Sequence, residues 1–112
     1  MLVAFSVAPS GGSALADETG SVSAAVADAV LVVRSSGLPH TTDAMFTTVE
    51  GDWGECMDVV KRACEAVAAH GPRVSLVLKA DIRPGFTGEL TGKLSRLEAA
   101  VERVEGEAGR GQ

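Results

Sequence analysis

Two segments near opposite ends of the chain alternate apolar residues with smaller or more polar ones. Because successive side chains of a β-strand point to opposite sides of a sheet, each segment predicts a strand with one apolar and one mixed face. An apolar sheet face needs cover, so helices must pack on that side. The apolar positions are Val3, Phe5 and Val7 in segment 2–8, and Val74, Leu76, Leu78, Ala80 and Ile82 in segment 73–83.

Three further segments space their apolar residues as helices do. Ser21 is the expected N-cap of the first helix and Gly37 its end. Asp52 and Glu55 have the spacing of a capping box at the start of the second, which Gly71 ends. The apolar positions are Val22, Val26, Val30 and Val33 in the first helix, Val59, Val60, Ala63, Ala66 and Val67 in the second, and Leu90, Leu94, Leu97, Val101 and Val104 in the third.

Two short strands complete the predicted order of elements. The Thr and Val content of segments 40–43 and 45–50 favours strands joined by a turn. The resulting order, β-α-β-β-α-β with a terminal helix, predicts an α+β, ferredoxin-like βαββαβ sandwich with an extra C-terminal helix. Another α+β sandwich with the same elements is the alternative. We expect one domain over residues 1–105, a long connector over residues 10–20 and a disordered tail over residues 106–112.

Charge and motif content narrow the function classes. The 10 Lys and Arg residues are outnumbered by 15 Asp and Glu residues, and no basic stripe is present, which argues against nucleic acid. No apolar run reaches the roughly 20 residues of a membrane helix, and no signal peptide is evident, so we expect a cytoplasmic protein without a membrane partner. No nucleophile–base pair or metal-ligand spacing is visible. We therefore expect no enzyme activity, catalytic residue, metal or cofactor.

Cys56 and Cys64 lie eight positions apart in the second predicted helix. This spacing is roughly 12 Å along a helix axis, too far for a disulfide. We interpret both as helix-packing residues.

The mixed faces of the predicted strands collect polar residues of both charges. In a ferredoxin-like sheet the first strand lies between the third and fourth, which makes these residues neighbours. The mixed face is either a solvated surface with weak cross-strand ion pairs or the floor for a subunit partner or a polar small molecule. The residues concerned are Ser6, Thr48, Glu50, Lys79, Asp81 and Arg83.

Several separated motifs point to a family. These are Ala4-Phe5-Ser6-Val7-x-Pro9, Ser21-Val22-Ser23, Ser36-Gly37-Leu38, Asp43-Ala44-Met45-Phe46-Thr47-Thr48-Val49-Glu50-Gly51-Asp52-Trp53, Leu78-Lys79-Ala80-Asp81-Ile82-Arg83 and Thr91-Gly92-Lys93-Leu94. Over residues 2–104 the chain resembles the small thiamine-binding protein family, which is related to the YkoF-type binders of thiamine and hydroxymethylpyrimidine. The Met-x-Thr-x-x-Glu-Gly-x-Trp segment is the most specific of these motifs.

The resemblance implies a ferredoxin-like subunit that pairs through its sheets as a dimer or a homotetramer. It also implies binding of thiamine or its pyrimidine precursor without transformation. A carboxylate could accept from the aminopyrimidine, hydroxyls could adapt to it, and an aromatic or Met side chain could contact the thiazolium cation. The predicted ligand-binding residues are Ser6, Met45, Thr47, Thr48, Glu50, Trp53 and Lys79.

Two other function classes stay open at this point. The chain could be a regulatory or assembly module whose sheet face is only a subunit interface. It could also be a small ferredoxin-like enzyme, which requires a titrating residue in a pocket.

Overall fold

The computed structural model describes residues 1–11 and 23–110 and has the predicted order of elements. Its sheet is antiparallel, with strand order β2-β3-β1-β4, so the fold is α+β and ferredoxin-like, as predicted. The expected connector after Gly11 and the Ser21 cap lie outside the described residues. The elements are β1 (Leu2–Ser10), α1 (Ser23–Ser35), β2 (His40–Thr42), β3 (Thr47–Glu50), α2 (Trp53–Ala68), β4 (Arg73–Asp81) and α3 (Glu89–Arg110).

The strand register divides the sheet into the two predicted faces. Val3 of β1 lies opposite Val49 of β3 and Ala80 of β4, and this side carries α1 and α2. Ala4 lies opposite Thr48 and Lys79, which places those two residues on the mixed face. The core between the sheet and the two helices consists of Val3, Phe5, Val7, Ala25, Ala29, Val33, Val49, Cys56, Val59, Val60, Ala63 and Val67.

Helix α2 begins with the predicted capping box. The Oδ1 atom of Asp52 accepts from the backbone N–H of Glu55 at 2.7 Å, and the Oε1 atom of Glu55 accepts from the backbone N–H of Asp52 at 3.1 Å. These bonds satisfy two N–H groups that a helix start leaves unpaired. Cys56 and Cys64 face inward as free thiols, and burial raises the pKa of both.

Several element boundaries differ from the sequence prediction. Strand β1 continues past the expected end at residue 8 to Ser10, which pairs with Arg73, and β2 ends at Thr42. Strand β3 begins at Thr47 because the Oδ1 atom of Asp43 accepts from the backbone N–H groups of Met45 and Phe46, both at 2.8 Å, and so folds these residues into the turn. Strand β4 ends at Asp81, before the loop. Helix α3 continues to Arg110, beyond the expected start of the tail at residue 106, because the helix-favouring residues of this segment outweigh its glycines.

Helix α3 starts on the mixed face, opposite α1 and α2. Glu50 and Asp81 point to that face, and both contact the first turns of α3. Farther along, the apolar stripe of α3 lacks a partner within the described chain: the exposed fractions are 61% for Leu94, 57% for Leu97 and 62% for Val104. The domain therefore has its core on one side of the sheet and an open apolar helix on the other. On the core side α1 and α2 leave Leu76 and Leu78 of β4 43% and 36% exposed, although the sequence assigns both to the covered face.

The substitution Val59→Ala tests the core between α2 and the sheet. Val59 is 1% exposed, so loss of two buried methyl groups and the resulting cavity should lower the free energy of unfolding by about 2 kcal/mol. Val26→Ala, the same change at a residue that is 40% exposed, should cost less than about 1 kcal/mol. Urea denaturation measures both values, and equal losses would contradict this description of the core.

Candidate functional site

A cavity of about 780 Å³ lies where three segments of the chain meet beside Met1. Residues 37–39 follow α1, residues 50–55 join β3 to α2, and residues 82–88 join β4 to α3. We call this the main cavity. Its volume lies within the range of roughly 300–1,000 Å³ that is common for small-molecule sites.

Glu50, at the end of β3, joins the main cavity to α3. Its carboxylate is 7% exposed; Oε2 accepts from the backbone N–H of Glu89 at 2.7 Å and Oε1 from that of Leu90 at 3.2 Å. The backbone N–H groups of Glu89 and Leu90 lie in the first turn of α3, where a helix has no acceptors of its own for them. A negative charge there also interacts favourably with the positive end of the helix dipole. Glu50 therefore caps a helix that begins 39 residues later and holds the end of the 82–88 loop against β3.

The wall at the start of α2 is acidic and aromatic. Asp52 and Glu55 line the cavity with their capping-box carboxylates, and Trp53 lies between them in the chain with 60% of its side chain exposed. Gly51 permits this tight entry, since a Cβ atom there would lie 3.3 Å from the Cβ of Glu55 and 3.4 Å from the Sγ of Cys56. The Glu-Gly-Asp-Trp sequence thus places carboxylates and an indole together at one wall.

In the 82–88 loop, which forms another wall of the cavity, the guanidinium of Arg83 lies over the ring of Phe86. The guanidinium carbon of Arg83 lies 3.5 Å from the centroid of the Phe86 ring, within cation–π distance. The loop is closed by a hydrogen bond from the backbone N–H of Phe86 to the carbonyl of Arg83, and Gly85 has a φ of 83° that glycine adopts without strain. The 82–88 loop therefore contributes a positive side chain to the cavity that the acidic segment also lines.

The structure divides the predicted ligand-binding residues among three places. Glu50 and Trp53 line the main cavity. Ser6, Met45 and Thr47 line a smaller cavity of about 240 Å³ between α1 and the β2–β3 turn.

The other two predicted residues, Thr48 and Lys79, lie on the mixed face and line neither cavity. The predicted residues thus do not meet at one site within a single subunit.

Two prominent lining residues were not among the predicted ligand-binding residues. The alternation in segment 73–83 places Arg83 on the mixed face because it runs past Asp81, where β4 ends, and no motif marks Phe86. The Pro-Gly pair before Phe86 signals a turn that redirects both side chains, but the partner of that turn is not readable from local sequence.

Within residues 1–11 and 23–110, no group of three or more His, Cys, Asp or Glu side chains could hold a metal ion. No helix described there has the length and apolar character needed to cross a bilayer.

The fold and the main cavity define a class: a small α+β, ferredoxin-like domain with a polar and aromatic cavity at its strand ends. Residues 3–98 match the family model described as "Thiamine-binding protein". The chain belongs to this thiamine-binding protein family.

Relatives of similar length support this membership. The chain is 52% identical over 106 residues to the UPF0045 protein Mb1933 of Mycobacterium bovis, covering 94% of this chain and 98% of that one. Its fold is similar to that of the hypothetical protein MJ1052 of Methanocaldococcus jannascii, with a TM-score of 0.73, 31% identity and coverage of 87% and 94% of the two chains. A candidate thiamine biosynthesis/salvage protein, TM0486 of Thermotoga maritima, matches with a TM-score of 0.67, 29% identity and coverage of 86% and 96%.

The substitution Glu50→Ala tests the cap on α3. Loss of the carboxylate leaves two backbone donors without a partner and should lower the free energy of unfolding by about 1–3 kcal/mol. Hydrogen exchange at the Glu89 and Leu90 amides should accelerate, because their protection depends on Glu50. Glu98→Ala, at an exposed position of α3, is the control and should leave both amides unchanged. Unchanged exchange in Glu50→Ala would show that α3 is held by other contacts.

Proposed function

We propose that this protein binds thiamine or a related pyrimidine precursor in the main cavity, without transforming it, as a homo-oligomer. The observation that carries this proposal is the placement of Trp53 and three carboxylates, those of Glu50, Asp52 and Glu55, around one cavity of suitable size. The family description and the candidate thiamine biosynthesis/salvage role of TM0486 support the same ligand class.

The chemistry of thiamine matches the wall at the start of α2. Its thiazolium ring is cationic, and the open face of Trp53 offers a cation–π contact worth about 0.5–2 kcal/mol. The carboxylates of Asp52 and Glu55 add a favourable potential for a cation. Trp53 supplies the open aromatic face here, since Arg83 already covers a face of Phe86.

The aminopyrimidine of thiamine suits the carboxylate of Glu50. A carboxylate has about four lone-pair positions, and the start of α3 uses two of those on Glu50. The remaining positions can accept from the exocyclic amine while the cap stays intact. Glu50 therefore serves both as a ligand acceptor and as the residue that positions the cavity wall.

Binding without turnover fits the groups in the main cavity. Its described lining includes no His, Cys, Lys or Tyr side chain, and Thr87 is its one hydroxyl residue. The carboxylates of Asp52 and Glu55 are engaged with backbone N–H groups of the capping box. This composition favours recognition of a polar ring over general acid–base chemistry.

A second copy of the chain is the proposed cover for the open side of the sheet. In a single chain the apolar stripe of α3 and Val77 of the mixed face, which is 57% exposed, are both open to water. Contiguous apolar exposure of this kind is typical of subunit interfaces. The same observation favours the alternative function, an assembly module that uses this surface only to join subunits. A measurement of ligand binding distinguishes the two functions, because only the first predicts a ligand.

Thiamine binding can be followed through Trp53, the chain's one tryptophan. Titration with thiamine should change its fluorescence saturably, because the ligand contacts the indole, and calorimetry should return the same dissociation constant. Trp53→Leu should weaken binding about 2- to 30-fold, as expected for loss of a cation–π contact.

Thiochrome is an uncharged oxidation product of thiamine in which the exocyclic amine is closed onto the thiazole ring. It should bind more weakly than thiamine, because it lacks both the ring cation and the free amine that Glu50 would accept from. The absence of heat and of a fluorescence change at millimolar thiamine, with folded protein, would remove the proposed function.

The substitution Leu97→Glu tests the oligomer. Leu97 lies at the centre of the apolar stripe of α3, so a carboxylate there should split the oligomer at a cost of several kcal/mol for burying the charge. Ser95→Glu places the same charge on the opposite side of the helix and should leave the molar mass unchanged. Light scattering after size exclusion measures both. A wild-type monomer at high concentration would contradict the proposed interface.

A further inference from the structure

We propose that the main cavity takes a phosphorylated form of its ligand, and that Arg83 is the residue that binds the phosphate. This inference rests on the proposed function and adds the ligand's substituent: a phosphate monoester on the hydroxyethyl tail in place of the free alcohol.

The first observation is that Arg83 has no carboxylate partner. Among the described residues, no Asp or Glu lies within ion-pair distance of its guanidinium. The nearest carboxylate in the strand, Asp81, is bound instead by Lys93 of α3, and this hydrogen bond lowers the pKa of Asp81. The charge of Arg83 also lowers the pKa of Asp81, but the ion pair of that carboxylate is with Lys93.

The second observation is the orientation of the Arg83 side chain. Its guanidinium lies over the Phe86 ring, and a guanidinium that contacts an aromatic face keeps its N–H donors at the edge of its plane. No hydrogen bond within the described chain uses these donors. A held guanidinium with open donors is suited to bidentate binding of phosphate oxygens.

The third observation is the separation of charge within the main cavity. The carboxylates belong to residues 50–55, whereas Arg83, the one basic side chain among the described lining residues, belongs to the 82–88 loop. The other cation at the cavity, the N-terminal ammonium of Met1, donates to the carbonyl of Gly51 at 2.7 Å. Thiamine monophosphate has the complementary pattern, with a cationic ring at one end and an anionic phosphate at the other. Free thiamine matches only the acidic wall and leaves Arg83 without an anion.

Calorimetry at one fixed ionic strength tests the proposal with four proteins and two ligands. For the wild type, thiamine monophosphate should bind about 10- to 100-fold more tightly than thiamine, as expected for hydrogen bonds between charged groups. Arg83→Gln should remove this preference, and thiamine should bind at least as tightly as to the wild type, because the lost guanidinium repels the ring cation. Arg83→Lys retains the charge without the planar fork and should keep part of the preference. Arg34→Gln, which removes a charge from the last turn of α1, should match the wild type.

A competition experiment on the wild type needs no variant. Inorganic phosphate, added at constant ionic strength against chloride, should weaken the binding of thiamine monophosphate and leave that of thiamine unchanged. Equal wild-type affinity for the two ligands, or equal loss of both in Arg83→Gln, would overturn the phosphate assignment and leave the proposed function in place. If neither ligand bound, both the phosphate assignment and the proposed function would be overturned.

Discussion

The paired hydrogen bonds from the start of α3 to the Glu50 carboxylate connect parts of the chain that no regular element joins. They link the end of β3 to the helix after β4, across 39 residues, and their acceptor is almost fully buried. Because the 82–88 loop runs directly into that helix, the same contact sets where Phe86 and Arg83 lie relative to the start of α2. This contact, together with the ion pair between Lys93 and Asp81, therefore fixes the wall that the 82–88 loop forms.

The fold was predictable because its determinants are local. Alternation in β1 and β4 assigned the sheet faces, and the Asp52–Glu55 spacing located the start of α2. The site was less predictable because it depends on contacts between distant segments. Glu50 is a predicted ligand-binding residue, but the partners it has in the structure are backbone amides, which carry no sequence signal. Thr48 and Lys79 share its face, yet the register leaves them away from either cavity.

The two sides of the sheet have different structural roles. The side that carries α1 and α2 supplies the stable core, and the other side supplies α3, an open apolar stripe and the mixed face. The main cavity lies at the strand ends, apart from the middle of the mixed face, so ligand binding and association of subunits can use different surfaces. The capping box of α2 and the hydrogen bonds of Glu50 to α3 also keep the carboxylates in place before a ligand arrives, which reduces the cost of ordering them.

The most direct test of the main cavity as the ligand site is a crystal structure of the protein with thiamine bound. The account predicts electron density for the ligand beside Trp53 and facing the 82–88 loop, with Glu50 still accepting from the amides of Glu89 and Leu90. Ligand density on the mixed face beside Thr48 and Lys79, or in the smaller cavity near Met45, would contradict it.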